Sequence, residues 1–390
     1  MTEARPCIPI APVLSRASFS RGFATPPSIL DAGQVRLVSS GRIAIAMALR
    51  EMKVGPGDEV LVPAYHSLSM VPPVLWRGAT PVFYRVGPAA EADLLDAAAK
   101  VTPATRAIMV TNYFGFPQDL AAARAFCDEH GLSMLEDCAH AFFGEHQGRA
   151  LGSFGDYAIG SSMKFFPTYE GGALVSARHS LAGVALEPGG AGFEAKAALA
   201  ALESSFAYRR LPLVHALLRL PLWLKDHAWG ALKRSRNGAA PVALAPSSSD
   251  SGVEFEPRWI GKRSSMFSRA VMALASTGRI AALRRRHYLV LEEAARGVAG
   301  VRPLFGHLPD GVVPWQFPLL VDDPEPLFDA LRAAGVPVVR FGSTQWPGVD
   351  AHTCPNSAAL SRKVLALPCH QELRADELAW MAAQLRKAAA

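Results

Sequence analysis

The chain has 390 residues, half of them apolar and 19% charged, with 32 Gly and 30 Pro. That length predicts two domains around sizeable cores, and it excludes a small disulfide scaffold and a disordered or fibrous chain. The net charge of +6 raises nucleic acid as a partner, but eight basic residues against two acidic ones between Lys196 and Arg236 account for all of it, so no nucleic-acid groove is expected.

Residues 1–35 read as an N-terminal arm. Its first 22 residues carry three Arg and three Ser but also Glu3, Pro6, Pro9 and Pro12, and they lack the unbroken apolar stretch of a secretory signal, so a cytoplasmic chain is expected. Ile43 to Met52 is apolar at helical spacing and stops at the breaker Gly55-Pro56-Gly57, after which Glu59 to Pro63 reads as a strand. A helix over Met70–Trp76, strands over Thr80–Tyr84 and Ala107–Thr111, a helix over Leu120–His130 and a strand over Ser133–Asp137 follow. This alternation predicts an α/β large domain over 36–264, with a mostly parallel sheet between helices and ligands at the carboxyl ends of its strands.

A basic apolar insert of about 190–252 interrupts that domain. Its Leu-rich run 211–224 is divided by Pro212 and Pro221 into short helices, and Asn237 to Gly252 is a linker of Ala, Pro and Ser. A helix over Met266–Arg296 then carries the cluster Arg284-Arg285-Arg286. A strand over Val312–Val321, a helix over Glu325–Ala334, a strand over Val336–Phe341 and a helix over Ala375–Lys387 complete a smaller α+β C-terminal domain, 265–390. No apolar run reaches the roughly 18 residues of a spanning helix. The five cysteines are an odd number with no C-x-x-C pair, which fits a reducing compartment and no metal site.

Three features carry chemistry. Asp137, in Glu136-Asp-Cys-Ala-His140, ends an apolar strand, where a carboxylate needs a cationic partner such as a protonated heterocycle nitrogen; an N-cap is the plainer role. Lys164 is one of nine lysines and sits among aromatic and small residues, the surroundings that activate an amine nucleophile, although it could instead snorkel to solvent. Ser39-Ser40-Gly41-Arg42 precedes the first helix, so its backbone N–H groups suit a phosphate, or form an ordinary cap. A phosphate cradle, a buried acid and an apolar lysine together describe a pyridoxal phosphate site.

Gly41-Arg42-x-Ala44, Gly55-Pro-Gly-Asp-Glu-Val-Leu-Val-Pro63, Gly78-Ala-Thr-Pro-Val-Phe83, Glu136-Asp-Cys-Ala-His140, Gly148 to Gly155, and Lys164 followed by Gly171-Gly172 form an ordered set. The set resembles the DegT/DnrJ/EryC1/StrS family, convincingly over about 36–178 and more loosely over 265–388, where Ala366-Leu-Pro-Cys-His370 is similar to the family's LPxHP signature. The resemblance implies the fold-type I fold of pyridoxal 5'-phosphate (PLP) transferases. It also implies ping-pong transamination from an amino acid, by family habit glutamate, to a keto-sugar nucleotide or related ketone, in a homodimer with shared active sites. Lys164 would form the Schiff base and move the proton; Asp137 would hold the ring nitrogen protonated. His140 would approach the ring, and Gly41, Arg42 and Ser161 would bind the phosphate. A PLP dehydratase of this family replaces the lysine by histidine, so Lys164 argues against it.

The chain departs from the family at four places. The family's Ser-Gly-Thr turn reads Ser40-Gly41-Arg42, which replaces a hydroxyl by a guanidinium able to face the phosphate. The ring-stacking aromatic falls on Ser67, leaving Tyr65 or His66 to stack. Ser161 and Ser162 compete for the serine's role. The Asn-x-Arg segment that completes the neighbouring subunit's site is not recognisable, with Gly261-Lys262-Arg263 nearby. These departures leave open a non-catalytic relative that keeps the fold to bind a ligand or a membrane. The segment 196–236, which interleaves Arg and Lys with Leu, Trp and Phe, suits either a lid or dimer contact or a peripheral contact with anionic lipid.

Overall fold

The computed structural model describes residues 5–220, 223, 227 and 254–388. In the first half, Val-, Leu- and Ile-rich runs form strands β1 (Gln34–Val38), β2 (Glu59–Pro63), β3 (Thr80–Tyr84), β4 (Thr105–Thr111) and β5 (Ser133–Cys138). After a small two-stranded hairpin of β6 (Glu145–His146) and β7 (Arg149–Ala150) come β8 (Tyr157–Ser161) and β9 (Gly172–Ser176). Seven strands make one sheet in the order β1-β9-β8-β5-β4-β2-β3. From β3 to β8 neighbours are parallel, while β9 and β1 close the edge antiparallel. Both faces are covered by apolar clusters, as parallel sheets require.

Helices α1 (Gly41–Glu51), α2 (Val71–Trp76), α3 (Leu94–Ala99) and α4 (Leu120–His130) connect these strands. Helix α1 buries Ile43 through Leu49 completely, because it packs against β8 and β9. A close backbone approach makes this possible: a Cβ on Gly172 would lie 2.4 Å from the carbonyl carbon of Ser40, so only glycine fits there.

Helix α5 (Ala191–Ala207) occupies the start of the expected insert, and residues 212–220 form α6. The short helices expected around Pro221 and the linker 237–252 lie outside the described residues. Among the basic residues of 196–236, Arg210 is not a surface charge: it is buried and paired with Glu377 at 2.6 Å. Among the described residues no helix is long and apolar enough to cross a membrane.

The helix expected over 266–296 is two helices, α7 (Met266–Leu274) and α8 (Thr277–Ala295). Ala275 is extended and Ser276 caps α8 by accepting the Arg279 N–H at 3.3 Å. A second sheet has the antiparallel order β10-β11-β12, from Val301–Pro303, Gln316–Val321 and Val364–Pro368. It packs with α8, α9 (Pro324–Ala333) and α10 (Pro355–Lys363), and α11 (Ala375–Ala388) packs on α8 and α9. The strand expected over 336–341 reduces to one bridge, Val339 with Ala366, since Pro337 has no N–H to donate. The early part of α8, through Ile280 and Ala281, joins a large-sheet core, whereas Tyr288, Leu291 and Ala294 join the core of the second sheet.

Candidate active site

The carboxyl ends of β4, β5 and β8 meet the N-terminus of α1 at one cleft. Its walls include Gly41, Arg42, Thr111, Asp137, His140, Ser161 and Lys164. Strand alternation sorts the two neighbouring acids to opposite faces. Glu136, fully buried, accepts the Gly152 N–H at 2.8 Å, the Phe154 N–H at 3.2 Å and the Asn112 amide at 3.2 Å. Asp137 faces the cleft: its Oδ1 accepts the Ala139 N–H at 2.9 Å, and the Thr111 hydroxyl lies 3.4 Å from its Oδ2.

At the other end Ser40 caps α1, accepting the Ile43 N–H at 3.2 Å. The N–H groups of Gly41 and Arg42 have no carbonyl one turn back in the helix, and both residues border the cleft. Arg42 also donates to the Glu254 carbonyl. Of the two competing serines, Ser161 lines the cleft, whereas Ser162 turns toward Gly171, where a Cβ would lie 2.2 Å from its Oγ. Gly171 has φ +130°, a second reason for glycine at that turn.

Lys164 is buried, and its Nζ sits 4.5 Å from the centroid of the Trp315 ring. The ring packed nearest that indole is His140, stacked at 3.9 Å, with Phe114 and Phe341 farther out. The Phe114 N–H points at His140 Nδ1 at 3.5 Å, so Nδ1 is the acceptor and the ring is neutral: burial, then the charge of Lys164, holds it well below the ordinary histidine value. The turn carrying Lys164 is held from behind by Arg284. This fully buried guanidinium donates to the Lys164 carbonyl at 2.7 Å, the Trp315 carbonyl at 2.9 Å and the Gln371 amide oxygen at 3.0 Å. Gln371 in turn donates to the Phe165 carbonyl at 2.8 Å. Sequence reading missed Arg284 and Trp315. A signal for Arg284 existed, because it lies in helical phase with Ile280, Tyr288 and Leu291 and so falls on the buried stripe.

Lys164 also opens into a second cavity of about 580 Å³. Its walls come from the arm (Ile10, Pro12), the segment after β2 (His66, Ser67), Trp315 and Gln316, and the loop 338–344. His66 lies here and not on the cleft, its ring stacked on Phe83 at 5.0 Å. Tyr65 reaches neither cavity: it is fully buried between the two sheets, donating to the Phe341 carbonyl at 3.0 Å. Neither residue expected to stack on a cofactor ring is therefore brought to the cleft. Lys262 and Arg263 are engaged elsewhere, with Glu187 at 2.7 Å and the Leu186 carbonyl at 2.8 Å.

Residues 18–204 match the DegT/DnrJ/EryC1/StrS aminotransferase family. The chain is 40% identical over 136 residues to the UDP-N-acetyl-3-dehydro-alpha-D-glucosamine 3-aminotransferase of Acidithiobacillus ferrooxidans, which covers 35% of this chain and 36% of that protein. It is 37% identical over 149 residues to the L-glutamine:2-deoxy-scyllo-inosose aminotransferase of Streptoalloteichus tenebrarius, covering 37% and 35%. These alignments span about a third of the curated relatives' length. Over the full fold, a Streptococcus pneumoniae protein described as a sugar aminotransferase, solved in its PLP form, superposes with TM-score 0.64 at 16% identity, covering 98% of each chain. That likeness establishes the fold as the one these aminotransferases share.

Proposed function

We propose, from the premise that over residues 18–204 the chain belongs to the DegT/DnrJ/EryC1/StrS aminotransferase family, that it is a PLP-dependent aminotransferase. It takes an amino group from an amino acid, with glutamate the donor to test first, and delivers it to a keto-sugar nucleotide or related ring ketone. The observation that carries this reading is that Lys164, Asp137 and the open end of α1 share one cleft that passes, at Lys164, into a second cavity.

The donor set fits PLP. The N–H groups of Gly41 and Arg42 with Ser161 would hold the phosphate, Asp137 the ring nitrogen, and the Lys164 amine the aldehyde. When bound, PLP supplies a carbonyl that joins amines and a ring that withdraws electrons from the adjacent carbon. The freed Lys164 amine would be the general base and acid that moves the proton. Asp137 would keep the ring nitrogen protonated, and neutral His140 stacks on Trp315, the indole beside Lys164. Purified protein with PLP should absorb in the visible, and borohydride should fix a pyridoxyl group to Lys164, read by peptide mass. Glutamate should bleach the visible band and release 2-oxoglutarate. A colourless protein after PLP soaking, or unaltered cofactor binding in Lys164→Ala, sinks this reading in favour of a non-catalytic relative.

We propose a homodimer as the working assembly, tested by sedimentation. We also assign α6 to an anionic bilayer surface. Leu213, Leu217, Leu220 and Trp223 are exposed beside the exposed Arg209 and Arg219, within the segment that holds the chain's excess charge. Wild type should pellet with anionic vesicles at low salt and Leu217→Glu should not; a wild type that stays in the supernatant refutes the assignment.

A further inference from the structure

Three consecutive buried residues, His370, Gln371 and Glu372, follow β12, and their side chains tie two distant parts of the chain together. His370 and Glu372 hold the arm. His370 Nδ1 accepts the Glu372 N–H at 3.2 Å, so Nε2 carries the hydrogen and donates to the Pro9 carbonyl at 2.9 Å. The Glu372 carboxylate accepts the Ser15 hydroxyl at 2.6 Å and the Ser18 hydroxyl at 3.1 Å. Between those two grips the arm lays Ile10, Ala11 and Pro12 along the larger cavity. Gln371 holds the Lys164 turn instead. Its amide N–H donates to the Phe165 carbonyl at 2.8 Å, and its oxygen accepts from Arg284, which also holds the Lys164 carbonyl.

The block itself is pinned through its backbone. The His370 carbonyl accepts from His287 Nδ1 at 3.0 Å, the Gln371 carbonyl from Arg279 at 2.9 Å and the Glu372 carbonyl from Arg210 at 3.0 Å. Arg279 also pairs with the Glu372 carboxylate at 2.6 Å. Hydrogen bonds to charged groups are the strong ones, and a buried carboxylate that loses donors is costly to keep. Segments fixed at every carbonyl and gripping at every side chain transmit a displacement because packed interiors have little slack. Loss of the two hydroxyls that Glu372 holds therefore loosens Gln371, and with it the carbonyl of Phe165, the residue next to Lys164.

We propose that Gln371 and Glu372 are positioning residues that fix the arm and the Lys164 turn in one register, so that the amine is oriented for reaction only while the arm is seated. The assignment rests on the aminotransferase reading, and its test separates the two. Ser15→Ala/Ser18→Ala frees the arm from Glu372, and Gln371→Met frees the Lys164 turn from the same block. None of the three side chains lines either cavity. The first readout is amide hydrogen exchange in PLP-free protein at Phe165 and Phe166, whose N–H groups close the Lys164 turn on the Ser162 carbonyl at 3.0 and 2.8 Å. The second is the first-order rate at which saturating glutamate bleaches the visible band of the full-length protein loaded with PLP.

In both variants exchange at Phe165 and Phe166 should quicken about fivefold or more. The saturated rate should fall by roughly tenfold or more, because a displaced amine loses its alignment with the atom it serves. The arm variant is the decisive one, since the Ser15 and Ser18 hydroxyls bond Glu372 and not the Lys164 turn; it carries the test alone should Gln371→Met not fold. If glutamate fails to bleach the wild-type band, the aminotransferase reading falls and the positioning role with it. If glutamate bleaches wild type but either folded variant keeps the wild-type rate, the assignment alone is overturned. A slower arm variant whose Phe165 and Phe166 amides exchange as in wild type overturns it as well, because the effect then reaches the site by another route.

Discussion

The two cavities that meet at Lys164 are built in opposite ways. The cleft is assembled from strand ends and one helix start, all within residues 40–164, and each functional side chain sits where a short motif leaves its strand. The larger cavity takes walls from residues 10–12, 66–68, 315–316, 338–344 and 370. The cleft to which the proposed function assigns the chemistry is therefore local in sequence, whereas the larger cavity depends on segments brought together by folding alone.

The sharpest break of that contrast is within the cleft. Lys164→Ala should abolish both half-reactions, reducing each by roughly 10³-fold or more, because no other group replaces the amine that moves the proton; stopped-flow measurement of each half-reaction checks this. Substitutions in the larger cavity should instead spare the donor half-reaction more than the acceptor one.

Next in size is the residue that holds, from behind, the turn at which the two cavities meet. Arg284→Met strands the carbonyls of Lys164 and Trp315 and the Gln371 amide oxygen in the interior, which should destabilise by about 3 kcal/mol, read from urea unfolding. A loss within 0.5 kcal/mol would mean that the Lys164 turn holds its shape without it.

The smallest effect is on pH. His66 and His370 are held neutral by burial, at about 4 and about 3. The unfolded chain binds protons on them below roughly pH 6.5 and the folded chain does not. Stability from this source is complete above about pH 6.5 and declines as pH falls toward 3–4. The melting temperature should drop between pH 7 and pH 5, with a shallower slope in His66→Phe; an equal slope would show that His66 is not buried as described.

The same contrast explains what could be read from sequence. Asp137 and Lys164 were legible because an acid and an amine in apolar surroundings are anomalies visible in a short window. The alternation of β1 to β9 with helices was legible because both faces of a parallel sheet are covered. Trp315 was not, since an indole after Pro314 looks like any core aromatic until α8 brings it under Lys164. His66 looked like a ring-stacking residue because it adjoins the family's aromatic position, but the backbone after β2 turns it toward Phe83. The break at Ala275-Ser276 went unseen because apolar spacing continues across it.

Helix α8 has 19 residues, about 28 Å at 1.5 Å per residue, and is embedded at one end in the large-sheet core and at the other in the core of the second sheet. Such a member is a strut and not a hinge. Because it is anchored at both ends and its Arg284 holds the carbonyls of Lys164 and Trp315, the wall these two residues give the larger cavity is backed by a rigid rod, and room for a larger occupant would have to come from displacing the arm at residues 10–12 or the loop at 338–344. Whatever enters that cavity is then gauged as by a calliper with one fixed jaw.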